Sequence, residues 1–126
     1  VSHVLDASAL LAYAHNEPGG ARVAAAMEGA YLSTVNLSEA IAKYVERGTD
    51  YGQLQSELRF SGVTLVPFEA ADAYAAGALR AATRRFGLSF GDRACLTLAK
   101  RLGYPVLTTD RAWAKLELGV AVEVIR

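Results

Sequence analysis

The sequence predicts a single three-layer α/β/α domain built on a mainly parallel sheet of about five strands. The first observation behind this is an alternation: about five short β-branched or apolar runs are separated by helix-like segments, the pattern of right-handed crossovers between parallel strands. Secondly, two of those runs end in a carboxylate, Val4-Leu5-Asp6 and Val106-Leu107-Thr108-Thr109-Asp110, as strands do where their carboxyl ends open onto a shared crevice. Finally, 126 residues are enough for one substantial core and too few for two ordinary domains, so residues 1–126 read as one unit.

Val1 to Leu5 reads as a short buried strand, and the Ala/Leu-rich run Ser8 to His15 as the helix after it, broken by Asn16-Glu17-Pro18-Gly19-Gly20. A second helix covers Ala21 to Met27, and Tyr31 to Val35 has the content of a strand. Asn36 or Ser38 is the expected cap of a helix whose Ile41, Tyr44 and Val45 form an i, i+3, i+4 stripe ending at Gly48. Asp50 opens an amphipathic stretch through Leu54, Leu58 and Phe60, and Val63 to Phe68 is the third strand. Glu69 to Phe86 is Ala-rich and predicts one long helix. Gly87-Leu88-Ser89-Phe90-Gly91 turns the chain into a helix from Asp92 to about Leu102; strands at Val106-Leu107-Thr108 and Val120 to Val124 complete the pattern.

Equal numbers of basic and acidic residues, 13 of each, give no global attraction to nucleic acid, so a phosphate-bearing substrate would need a local basic patch or a metal ion. Arg84, Arg85, Arg93 and Arg111 are the candidate phosphate contacts. The single cysteine, Cys95, lies in an apolar helical run and reads as a buried free thiol in a reducing compartment. No eighteen-residue apolar stretch or signal-peptide pattern is present, so a cytoplasmic protein without a membrane partner is the expectation.

Two further acids, Glu39 and Asp92, begin helix-like segments between the two strand-end aspartates. Each acid has a purely structural alternative: Asp6 and Asp92 as helix caps, Glu39 as the third residue of a capping box begun by Asn36, Asp110 as part of a turn. Together, four acids at one sheet edge without matching His or Cys point to a hard divalent cation, Mg²⁺ or Mn²⁺, and away from zinc. Ser8 is placed to donate to a liganding carboxylate. Trp113 reads as packing against the sheet.

The segments Val4-Leu5-Asp6-Ala7-Ser8-Ala9, Asn36-Leu37-Ser38-Glu39, Gly91-Asp92-Arg93-Ala94-Cys95-Leu96 and Leu107-Thr108-Thr109-Asp110-Arg111-Ala112-Trp113 occur in an order and over a span that resemble the PIN-domain family, in particular small ribonuclease toxins of the VapC type. The resemblance implies a catalytic Mg²⁺ site, with Mn²⁺ as a substitute, on Asp6, Glu39, Asp92 and Asp110, with Ser8 and Thr109 supporting it. It also implies a metal-dependent endoribonuclease, a homodimer, and a cognate antitoxin whose C-terminal segment covers an apolar groove and obstructs the acid cleft. The apolar residues Leu10-Leu11-Tyr13, Tyr44-Val45 and Leu54-Leu58 are the candidates for that groove. The next acid after Asp110 is Glu117, beyond Trp113, which weighs against a full second-metal site.

Two alternatives remain at this stage: a non-catalytic interaction domain that keeps the acids as caps, and a metal-dependent DNA nuclease. The lack of a Gly-rich loop after the first strand and of any Gly-Lys-Ser/Thr argues against a dinucleotide or P-loop protein. Serine hydrolysis is excluded by the lack of an elbow motif and a base. His3 and His15 are too far apart in the pattern to share a site.

Overall fold

The computed structural model describes residues 1–126, with β1 Val4–Leu5, α1 Ala7–Ala14, α2 Gly20–Ala26, β2 Tyr31–Ser33, α3 Thr34–Glu46, α4 Gly52–Phe60, β3 Thr64–Val66, α5 Ala70–Ala78, α6 Arg80–Thr83, α7 Phe90–Leu102, β4 Val106–Thr108 and β5 Val122–Val124. All strand pairs are parallel, in the order β3-β2-β1-β4-β5. The chain builds outward from β1 in one direction through β2 and β3, then crosses to the other side of β1 for β4 and β5. The switch of direction between β1 and β4 leaves a crevice at their carboxyl ends.

Strand alternation divides the core. Leu5, Leu32 and Leu107 face α1 to α4 and pack with Leu10, Val23, Tyr44, Leu54 and Leu58. Their neighbours Val4, Tyr31 and Val106 face the opposite side and pack with Leu88, Cys95, Leu96 and Trp113. Period-two alternation with apolar residues on both faces requires a helical layer on each side, which is the three-layer arrangement the sequence predicts. Trp113 lies 1% exposed in the second core, from a 3-10 turn at Arg111–Lys115.

Several boundaries differ from expectation for local reasons. Helix α3 begins three residues early because Ser33 is its cap, its hydroxyl accepting from Val35 N at 3.2 Å; Asn36 is thereby the third helical residue and Ser38 lies inside. Helix α7 starts at Phe90 because Ser89 and Asp92 form a reciprocal capping box. The long helix expected over Glu69 to Phe86 is interrupted at Leu79 and ends in a 3-10 turn at Arg84–Phe86. The buried Thr83 hydroxyl donates to Leu79 O at 2.8 Å, the carbonyl that the Thr83 N–H also uses, and such back-bonding bends a helix. No helix is long and apolar enough to cross a membrane.

Candidate metal centre

Pairing of Leu5 with Leu107 carries the chain on to Asp6 and Thr108 side by side. Asp6 caps α1: Oδ1 accepts from Ala9 N at 2.8 Å and from the Ser8 hydroxyl at 2.6 Å, and Oδ2 accepts from the Thr108 hydroxyl. Thr108, the last residue of β4, is therefore the threonine that holds Asp6. Thr109, the expected support, acts through its backbone, donating to Ser8 Oγ at 3.0 Å. Asp110 begins the 3-10 turn and accepts from Ala112 N at 3.0 Å. Asp92 accepts from Ser89 N at 2.9 Å as half of the capping box. Glu39 lies one turn beyond the expected capping position, and Asn36 does not cap the helix; its Nδ2 donates to Glu39 Oε1 and to Gly91 O, both at 2.9 Å.

These acids converge. Asp6, Glu39, Asp92 and Asp110 line one cleft of about 410 Å³ with Ser8, Lys43, Ser89 and Thr109, and Ala7 is its only apolar member. Capping and clustering thus coexist, because strand ends and helix starts meet at the same sheet edge. Burial of Asp6, opposed by its hydrogen bonds and reinforced by the Asp92 charge, pushes its pKa up to about 6. Beneath the cleft Cys95 is fully buried, and burial together with the charges of Asp6, Asp92 and Glu39 raises its thiol pKa well above the usual value.

No three of the acids are close enough in this side-chain arrangement to hold an ion. The donor set nevertheless fits a hard divalent cation. Glu39, Asp92 and Asp110 each have one carboxylate oxygen held by a hydrogen bond and the other free of protein partners.

The four arginines lie elsewhere. Arg84 and Arg85 border a separate cleft with Phe86 and Glu117, which removes Glu117 from the acids as well. Arg93 donates to Ala76 O at 2.9 Å, tying α7 to α5, and Arg111 donates to Arg126 O. Sequence reading passed over Lys43, the one cation that lines the acid cleft; its signal is position i+4 from Glu39 on the same helix. It also passed over Thr108, recoverable only from strand register.

The PIN domain family model matches residues 3–118. No curated protein matches the chain by sequence. Among solved structures, a toxin-antitoxin complex from Klebsiella pneumoniae superposes with a TM-score of 0.71 at 16% identity, covering 95% of this chain and 96% of that one. VapBC2 from Rickettsia felis, bound to a promoter DNA fragment, gives 0.70 at 17% identity with 98% of both chains covered. DNA-bound VapBC from Salmonella typhimurium gives 0.69 at 19%, with 98% and 97% covered. The structural matches carry the fold; the family model spans all four acids, and the chain belongs to the PIN domain family.

Proposed function

We propose that this protein is a Mg²⁺- or Mn²⁺-dependent endoribonuclease, the toxin of a toxin-antitoxin pair. The observation that carries the reading is the meeting of Asp6, Glu39, Asp92 and Asp110 in one polar cleft at the switch point of the sheet. PIN domains are generally nucleases, and this donor set suits their chemistry. Asp6, Glu39, Asp92 and Asp110 are the proposed ligands, the last three through their free oxygens and Asp6 from a carboxylate fixed in place by Ser8 and Thr108. When bound, a divalent ion supplies charge neutralisation at the scissile phosphate and a more acidic water. Lys43 offers a cation at the cleft itself; the exposed Arg84, Arg85 and Arg111 are contacts for phosphates further along the strand, while Arg93 is committed to Ala76.

The toxin-antitoxin assemblies among the structural matches support an antitoxin partner. Of the apolar residues expected to receive it, Leu10, Leu11, Tyr44, Leu54 and Leu58 are buried in the first core. The open groove lies beside them, about 390 Å³ bordered by Leu37, Ile41, Tyr51, Leu58, Val63 and Leu65, and is the proposed seat of the antitoxin segment. A homodimer is part of the same proposal, checked by sedimentation.

Purified protein incubated with cellular RNA or DNA, in Mg²⁺, Mn²⁺ or chelator, is expected to cleave RNA only with metal. Asp92→Asn, folded by circular dichroism, is expected to lose at least a hundredfold in rate. Equal cleavage by the variant would sink the site assignment, and selective cleavage of DNA would reverse the substrate.

A further inference from the structure

Glu39 reaches the cleft from the middle of α3, whereas Asp92 reaches it from the first turn of α7, and something must bring the two helices to a fixed distance. Two residues meet that need. Asn36 is 1% exposed, and both hydrogens of its amide are used, one on Glu39 Oε1 and one on Gly91 O, each at 2.9 Å. Both partners are acceptors, so the orientation of the amide is unambiguous. Its Oδ1 is buried with no partner. An unmet buried acceptor is a cost to folding that an apolar side chain would avoid, so packing alone does not account for an amide here.

Gly91 supplies the other half. It is buried in the first turn of α7 and does not have a positive φ, so backbone conformation does not call for glycine. Space does. A Cβ on Gly91 would overlap Cδ, Oε1 and Oε2 of Glu39, the whole carboxylate. The missing side chain is the room in which that carboxylate rests, against a helix start whose positive end favours it.

We infer that Gly91 and Asn36 are positioning residues that set the Glu39 carboxylate against the first turn of α7. The inference rests on the proposed metal site for its functional meaning. Its distinctive consequence is a separation of folding from function. The atoms that an alanine at 91 meets are the far end of a flexible side chain, so the carboxylate yields and the backbone stays; alanine also favours the helix more than glycine does.

The test compares Gly91→Ala and Asn36→Asp, which removes both donors at constant shape, with Gly77→Ala, a glycine in α5 whose added Cβ meets nothing within 4 Å. Melting temperature, Mn²⁺ titration and the Asn36 side-chain NH₂ resonances are read for each folded protein. Expected are an unchanged or raised melting temperature for Gly91→Ala, at least tenfold weaker Mn²⁺ binding and slower RNA cleavage for both site variants, and wild-type behaviour for Gly77→Ala. In the metal-free wild type the Asn36 NH₂ protons are expected to exchange slowly, and to shift in Gly91→Ala. Wild-type Mn²⁺ affinity in Gly91→Ala, its failure to fold, or fast-exchanging Asn36 protons in the wild type would each overturn the inference. A wild type that binds no Mn²⁺ and cleaves nothing overturns the nuclease reading instead, and slow exchange of Asn36 then still supports the placement of Glu39.

Discussion

Asp6 is only 5% exposed, and its carboxyl is held by Ser8, Thr108 and the Ala9 amide, yet burial dominates and lifts its pKa from 3.8 to about 6. Between these values the folded protein keeps a proton that the unfolded chain has released, so this group's contribution to stability falls as pH rises across that window. The cost above pH 6 is about 3 kcal/mol, at about 1.4 kcal/mol per pKa unit. Urea unfolding of the metal-free protein is therefore expected to show the part of this loss that lies above pH 4.5, about 2 kcal/mol between pH 4.5 and 7.5, and Asp6→Asn to remove it; parallel profiles would contradict the burial argument. The same ionisation is needed for ligation, so Mn²⁺ affinity is expected to fall as pH drops through 6. At this scale the sequence made the acids legible as types at strand and helix ends. It did not distinguish Thr108 from Thr109, because that depends on the pairing of Leu5 with Leu107, a relation between segments about a hundred residues apart.

Among the elements, the strands and most helices were legible from periodicity, while their ends were set by hydrogen bonds that the pattern does not display. Ser89-Phe90-Gly91-Asp92 does carry a capping-box spacing, and that box starts α7 two residues before Asp92. Ser89→Ala is expected to cost about 1 kcal/mol and to loosen Asp92, read together by thermal melting and Mn²⁺ titration. A close approach elsewhere is equally specific: a Cβ on Gly20 would strike the carbonyl oxygen of Ala12, so α1 and α2 touch through backbone. Gly20→Ala is expected to destabilise by about 1–3 kcal/mol in chemical unfolding. Here, unlike at Gly91, the obstructing atom is main chain and cannot swing away.

Across the whole molecule, the fold places its chemistry by topology. The order β3-β2-β1-β4-β5 puts the first and fourth strands together, and the two aspartates that follow them come to one edge. That adjacency was expected from the alternation of elements; the separation of Arg84 and Arg85 from the cleft was not, since it depends on where the bent α5–α6 segment leads the chain. The outer strand β5 is tied back by Glu123, which receives Arg22 of α2 at 2.6 and 2.9 Å. Both side chains are about 40% exposed, so Glu123→Gln is expected to cost no more than about 1 kcal/mol, measurable as a small shift in urea midpoint.

Cys95 gives the molecule an internal clock. It is the only cysteine, lies under the acid cleft with no exposure, and directs its Sγ toward Leu5 O at 3.8 Å. An alkylating reagent reaches it only when α7 lifts from β1, so the rate of modification measures how often that opening occurs. Ions or nucleotides that bridge Asp6 and Asp92 would clamp the two elements and slow the reaction, which makes a simple thiol assay a gauge of ligand-induced rigidity.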